Sequence, residues 1–349
     1  MSLTNDLIEQ YDKDDMRGKL ISFPRHWREA MTFTLDHDWR FDPSKIENIC
    51  IAGMGGSAIG ADLVRACCSP ALTRPVEVTR DYHLPGWVGR GTLFVACSYS
   101  GNTGETLSAL SEARRRGASL FVVTSGGKLL MEVGDGAIDY VRIPGGIPPR
   151  AALAYSFVPL FRLFQYLGMD HGGDDALEET ARLLERQVAL LSQTEGNPAL
   201  AIAEAVSETL PLVYSEEGLM SPVRVRWSSQ FEENAKTLSY GNSIAEMTHN
   251  EIVGWEQLSH LTGRLSVILL EDLEGHRKVM QRMEVVEDLI SDQAVTVRRV
   301  QAHGSSRLAR QFSLVQFGDW VSCYLAWIQG VDPTPITKID LLKSRLGEL

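Results

Sequence analysis

The sequence predicts an α/β protein made of two tandem, doubly wound parallel sheets with connecting helices. Three observations carry that prediction. Apolar runs of strand length alternate with helix-length amphipathic segments in both halves of the chain. The 349 residues exceed what one hydrophobic core usually organises. Stretches rich in glycine and hydroxyl residues fall where apolar strands stop and helices start.

Residues 1–45 read as a polar, amphipathic helical segment with Pro24 and Pro43 as interruptions. The first sheet domain, 46–170, opens with "KIENICIAGMGGSAIGADLVRACC": a short strand, a glycine turn, and a helix with Ile59, Leu63 and Val64 on one side. "RPVEVTRDY", "GTLFVACSYS", "SLFVVTSGG" and "DYVRIPGG" supply further strands, and 105–116 and 151–168 are helical in pattern. Residues 171–205 are rich in helix formers and read as connecting helices. The second sheet domain, 206–330, repeats the order: "LPLVYSE", a helix over 225–238, "LSVILLED", a helix over 274–290, "AVTVRRVQAHG", and a last helix over 306–329. Residues 331–349, "VDPTPITKIDLLKSRLGEL", close the chain. A Rossmann domain followed by an unrelated helical domain is the second reading of the same pattern.

Composition narrows the class of function. Hydrophobic residues make up 44% and charged residues 23%, the balance of an ordinary globular protein. A formal net charge of −11 argues against nucleic acid or an anionic membrane as partner, so a bound anion must be held by local groups. The cysteines Cys50, Cys67, Cys68, Cys97 and Cys323 have no metal-ligand spacing, and their odd, dispersed placement predicts reduced thiols in a cytoplasmic protein. "MSLTNDLIEQYDKDD" is acidic and lacks an apolar core, so no signal peptide is expected. No apolar run has the length of a membrane span.

Two loops carry the chemistry. "GMGGSAIG" (53–60) and "SYSGNTGET" (98–106) each follow an apolar strand and precede a helix. Helix N-termini offer unpaired N–H groups and partial positive charge, which hold anions. Glycines allow close backbone approach, and Ser57, Ser98, Ser100 and Thr103 add hydroxyl donors. Ser and Thr in such places usually just cap the helix, and for either loop alone capping is the favoured reading. For the pair, a shared phosphate site is favoured. The first loop also fits a dinucleotide fingerprint as Gly53-x-Gly55-x-x-Ala58. Its acidic candidate, Asp81, lies 28 positions after Gly53 (81 − 53), where about 20 is expected. Hydroxyls in the second loop suit a phosphosugar better than a dinucleotide.

The two loops resemble the phosphate-binding loops of the sugar isomerase (SIS) domain. "RVRWSSQFEENAKTLSYGNSIAEMTHNEIVGW" (224–255) resembles the bifunctional phosphoglucose/phosphomannose isomerases, a family with two SIS domains in tandem. The resemblance runs from about residue 46 to the C-terminus. It implies a metal-free isomerase, without cofactor, that interconverts glucose 6-phosphate and mannose 6-phosphate with fructose 6-phosphate. It also implies a homodimer with shared active sites. By the resemblance, Gly56, Ser57, Ser98, Ser100 and Thr103 bind the substrate phosphate, and Arg150 in "GGIPPRAAL" lies near the reacting carbons. Glu233 in "ENAK" matches the base. His249 in "THNE" matches a ring-opening histidine that the family supplies from the neighbouring subunit. The C-terminal segment would return to the site with a lysine, Lys343 in "IDLLKSRL", with Lys338 as the alternative. The family often reads "PELNHNE" where this chain has "AEMTHNE", a departure beside the histidine.

The chemistry needs such groups. An aldose and a ketose interconvert by moving one proton between C1 and C2 through an enediol, and a single carboxylate can take and return it. A histidine titrates near neutrality and can protonate the ring oxygen. A guanidinium can stabilise an enediolate. Without the resemblance, Glu232 and Glu233 would read as solvated charges on a helix, and His249 as an ordinary loop histidine. A sugar-phosphate-binding regulatory protein would keep the phosphate loops and need neither group. An NAD-dependent enzyme is a third reading.

Overall fold

The computed structural model describes residues 3–33, 39–134, 136 and 138–347; positions 34–38 of the segment read as helical lie outside them. Two units emerge, each discontinuous in sequence: Arg25–Gly173 with Ile336–Leu349, and Met1–Pro24 with Asp174–Pro335.

In the unit built on Arg25–Gly173, five strands form a parallel sheet. They are β1 (Asn48–Ala52), β2 (Val76–Thr79), β3 (Thr92–Ser98), β4 (Ser119–Thr124) and β5 (Asp139–Arg142), in the order β2-β1-β3-β4-β5. β3 is buried at every position, as a strand covered on both faces must be, whereas the edge strand β2 exposes Glu77. β3 pairs with β1 from Asn48↔Thr92 to Ala52↔Ala96. On one face Cys50, Phe94, Ala96 and Val122 cluster with Ala109, Leu110 and Ala113 of helix Gly104–Arg115. Helix Gly55–Cys68 packs against helix Leu153–Tyr166 so closely that a Cβ on Gly60 would stand 3.0 Å from Ser156 Oγ. Chain order puts β2 on one side of β1 and β3 on the other, so the switch point of this sheet lies between β1 and β3.

The other unit holds a parallel sheet of β6 (Leu210–Ser215), β7 (Tyr240–Ser243), β8 (Leu265–Glu271) and β9 (Thr296–Gln301), in the order β7-β6-β8-β9. Its switch point lies between β6 and β8. Tyr214, Val267, Leu269, Met283, Val286 and Ile290 are among the side chains that form the core against helix Arg277–Ile290. Helix Ser221–Asn234 packs on helix Arg307–Ile328, and Gly318 makes this possible: a Cβ there would run into the Trp227 indole. That indole donates to the Leu314 carbonyl at 2.9 Å.

Three details differ from the sequence reading. β7 was not expected, because "YGNS" carries no apolar alternation; pairing with Leu212–Ser215 at the sheet edge makes it a strand. The helix expected over 225–238 runs from Ser221 to Asn234. Pro222 sits in its first turn, and Lys236 turns into the left-handed region at φ 57° just beyond its end. Pro24 does not interrupt a helix: it is the second residue of Phe23–Met31, where its missing N–H costs no bond. No helix among the described residues is long and apolar enough to cross a membrane.

Candidate active site

The two hydroxyl-rich loops lie at the carboxyl ends of β1 and β3, on either side of the first sheet's switch point. Neither helix that follows is capped by a side chain. Helix Gly55–Cys68 begins after Met54 and helix Gly104–Arg115 after Thr103, both without a side-chain cap bond. The capping explanation therefore fails, and the first-turn amides remain to serve an anion. The hydroxyls are engaged within the loops instead. Ser57 Oγ accepts the Tyr99 N–H at 3.1 Å, Ser98 Oγ accepts the Gly101 N–H at 3.1 Å, and Ser100 Oγ accepts the Asn102 N–H at 3.2 Å. A serine that accepts an amide proton keeps its own hydroxyl proton to give. Ser57 and Ser98 are buried, while Ser100 is exposed.

Gly101 adopts φ 69°, and a Cβ there would collide with the Gly126 carbonyl. The end of β4 thus braces the second loop from below, with Ser125 Oγ donating to the Tyr99 carbonyl at 2.6 Å. Arg150 belongs to the short turn Pro149–Ala151 and is buried. A Cβ on Gly56 would come within 3.1 Å of the Pro149 carbonyl, so the Arg150 turn rests directly on the first loop.

The switch point of the second sheet is chemically different. Glu216 follows β6 and Asp272 follows β8. Asp272 is buried and pairs with Arg310, Nε to Oδ1 at 2.8 Å. Burial, and next the charge of Asp272, push the Glu216 carboxyl up to about 7. The helix after β8 is capped, His276 Nδ1 accepting the Lys278 N–H at 3.2 Å. A phosphate placed here would meet carboxyl groups where the first sheet offers hydroxyls and open amides.

Glu233 is the penultimate residue of helix Ser221–Asn234 and is half-buried; Glu232 beside it is exposed. Desolvation first, and the charge of Glu233 last, raise the Glu232 carboxyl above its ordinary range, against a bond from the Ser239 amide that lowers it. A buried polar seam sets the rotation of this helix. Arg226, Gln230 and Asn234 recur every four residues on one face. Arg226 meets Asp319 at 2.9 and 2.8 Å, Gln230 donates to Asp319 at 2.9 Å, and Asn234 donates to Ser322 Oγ at 2.9 Å. Pinning Asn234 fixes Glu233 about 100° round the helix. Lys236 Nζ closes the helix end by donating to the carbonyls of Glu233 (2.6 Å) and Asn234 (3.3 Å).

His249 is exposed on the turn between helices Ile244–Met247 and Glu251–Gly254. Its neighbours hold the turn: Asn250 donates to Glu246 Oε1 at 2.8 Å, and Glu251 is bound by the Tyr214 hydroxyl and by Asn242 at 2.8 Å. Lys343 and Lys338 are both exposed on helix Thr337–Leu346. The structure thus gathers Gly56, Ser57, Ser98, Thr103 and the Arg150 turn at one sheet edge. Glu233 and His249 stand on separate elements of the other unit. Sequence reasoning did not single out Tyr99, Ser125 or Asp319. The "TSGG" at the end of β4 was the available sign of a third loop at this edge.

Residues 195–346 match the family model of the bacterial phospho-glucose isomerase C-terminal SIS domain. A bifunctional phosphoglucose/phosphomannose isomerase of Caldicellulosiruptor bescii is 42% identical over 308 residues, covering 87% of this chain and 91% of that protein. The chain belongs to the bifunctional phosphoglucose/phosphomannose isomerase family. A Thermoplasma acidophilum member of that family is 36% identical over 318 residues, covering 90% of this chain and 96% of its own length. In structure, the C-terminal domain of glucosamine-fructose-6-phosphate aminotransferase from Francisella tularensis shares the fold. Its TM-score is 0.69 at 14% identity, over 92% of this chain and 98% of that domain. Membership in a bifunctional phosphoglucose/phosphomannose isomerase family makes the chain an isomerase. That decides between the enzyme and the regulatory sugar-phosphate binder, and it sets aside the NAD-dependent reading.

Proposed function

We propose that this chain interconverts glucose 6-phosphate and mannose 6-phosphate with fructose 6-phosphate through an enediol, with no metal or redox cofactor. The observation that carries the reading is the contrast between the two switch points. Hydroxyls and uncapped helix amides lie at the first, and two carboxyls, the buried Asp272 and the half-buried Glu216, lie at the second. A phosphate dianion is favoured only at the first.

In this reading the Gly56 amide and the hydroxyls of Ser57, Ser98, Ser100 and Thr103 hold the phosphate. Arg150 stabilises the enediolate, its charge permanent and its turn seated on the first loop. Glu233 moves the proton between C1 and C2. His249 opens the ring from the neighbouring subunit of a homodimer, and Lys343 assists from the C-terminal helix. The reaction is redox-neutral, so proton transfer and charge stabilisation account for every step.

The test is a coupled assay of fructose 6-phosphate formation from each aldose 6-phosphate with EDTA present. Both reactions are expected to proceed, with free glucose and mannose as very poor substrates. Failure of both, or activity that EDTA abolishes and a divalent metal restores, overturns the reading. Mixing inactive His249→Ala with inactive Glu233→Gln is expected to restore part of the activity, through hybrid dimers with one intact site. Full activity of a monomer contradicts the shared site.

A further inference from the structure

We propose that Tyr99 is the residue that positions Arg150 against the phosphate loops, through a hydrogen bond from the Ile147 amide to its phenol oxygen. The inference rests on the role given to Arg150 above and adds the residue that sets it.

Tyr99 lies between Ser98 and Ser100, and its groups reach three separate segments. Its N–H donates to Ser57 Oγ of the first loop at 3.1 Å. Its carbonyl accepts from Ser125 after β4, from N–H at 3.2 Å and from Oγ at 2.6 Å. Its phenol oxygen accepts the Ile147 N–H at 3.3 Å. The first two contacts use the main chain and are open to any residue. The third needs a tyrosine.

The segment that Tyr99 holds is "GGIPPR", 145–150. Upstream of Ile147 are two glycines, Gly146 at φ 90°, and they give the chain freedom on entry. Downstream, Pro148 and Pro149 fix φ at two successive residues and carry no N–H. The turn is then closed by Ala151 N–H to the Pro148 carbonyl (2.9 Å) and Ala152 N–H to the Pro149 carbonyl (3.1 Å). Ile147 is therefore the last amide before a stiff unit that contains Arg150. Fastening it fixes where the guanidinium starts, and the Pro149 carbonyl resting on Gly56 fixes the other side. Tyr99 is half-buried, and burial raises its phenol above the ordinary range while the bond from Ile147 opposes that shift. The phenol therefore stays protonated over the working pH range, and its oxygen accepts the Ile147 amide throughout.

Tyr99→Phe keeps the ring and both main-chain contacts and removes only the phenol oxygen. The expected result is a fall in kcat of about tenfold for both isomerisations with KM within about twofold, because the phosphate contacts survive. In an Arg150→Ala background, Tyr99→Phe should cost nothing further. A purely structural role would instead raise KM, or would multiply with the loss from Arg150→Ala. Unchanged kcat in Tyr99→Phe, or multiplicative losses in the double variant, overturns the proposal. Amide hydrogen exchange at Ile147 reads the tether without any activity: protection should fall at least tenfold in Tyr99→Phe, and unchanged protection overturns the tether. Lost protection in a protein whose wild type turns over neither substrate would overturn the function and the role of Tyr99 in it, while leaving the tether as a structural fact.

Discussion

The hydroxyls of Ser98 and Thr103 stand 2.8 Å apart, closing the second glycine loop from its two ends. One of the two must donate to the other, and Ser98 Oγ also accepts the Gly101 amide. The proton left over is that of the accepting hydroxyl, available to an anion at the uncapped start of helix Gly104–Arg115. Thr103→Ala and Ser100→Ala are each expected to raise KM for either hexose 6-phosphate by roughly ten- to a hundredfold. That is the effect of losing one hydrogen bond to a charged group, about 1.5–3 kcal/mol. Thr103→Ser should recover most of the loss. Steady-state kinetics with both substrates decide it, and unchanged KM in both alanine variants removes the phosphate assignment.

The Glu216 carboxyl, pushed up to about 7, makes stability depend on pH in a definite direction. Unfolded, the group ionises near its ordinary value of 4.5; folded, it holds its proton much longer. Its contribution to stability is therefore complete below pH 4.5 and is lost as pH rises through about 7. Glu216→Gln is neutral at every pH and escapes that loss. The variant should melt close to wild type at pH 5 and a few degrees higher at pH 8, a difference on the order of 1–3 kcal/mol. A melting-temperature gap that stays constant from pH 5 to pH 8 excludes the titration of Glu216 as its source.

Asp319 is the shared acceptor of the seam under helix Ser221–Asn234, taking both Arg226 and Gln230. Asp319→Ala leaves the Arg226 guanidinium buried without its counter-charge, a loss of about 3–5 kcal/mol. Urea unfolding should register it as a lower midpoint. Replacing the pair together, Arg226→Met with Asp319→Leu, should recover much of the stability, because a buried ion pair gains little over well-packed apolar side chains. A loss below about 1 kcal/mol in Asp319→Ala would mean that water reaches the seam.

Local signals made the hydroxyl-rich edge of the first sheet legible. Glycines and hydroxyls at strand ends advertise themselves in a short run of consecutive residues, and the apolar run Leu93–Cys97 within the fully buried β3 fixes where the loop must sit. The orientation of Glu233 could not be read this way. It depends on Arg226 meeting Asp319 across 93 positions of sequence, and nothing in "FEENAK" itself says which glutamate turns inward. The membership of the terminal segments is equally remote from local pattern. Tyr11 packs where a Cβ on Gly330 would come within 3.2 Å of its ring, a contact with no trace in either stretch. β7 escaped because an edge strand of four residues, two of them exposed, owes its existence to its partner β6.

The decisive prediction concerns the base. Glu233→Gln keeps the size of the side chain and removes the proton acceptor. The proposed phosphate contacts lie in the two glycine loops, so binding of a hexose 6-phosphate should change little. Both isomerisations should fall together by about 10²–10⁴-fold or more, since in the proposed mechanism one carboxylate serves both epimers. Exchange of the C2 proton with deuterated water should be lost in parallel. Glu232→Gln is the matched control, one position away and turned about 100° round the same helix. Glu232 accepts the Ser239 amide, so its replacement should touch stability slightly and turnover hardly at all. An essential Glu232 with a dispensable Glu233 would put the inward face of the helix one residue earlier, and the Asn234–Ser322 bond would then have to give way to a different seam. If both variants keep full activity, the proton is not carried by this helix, and the enediol mechanism on it falls.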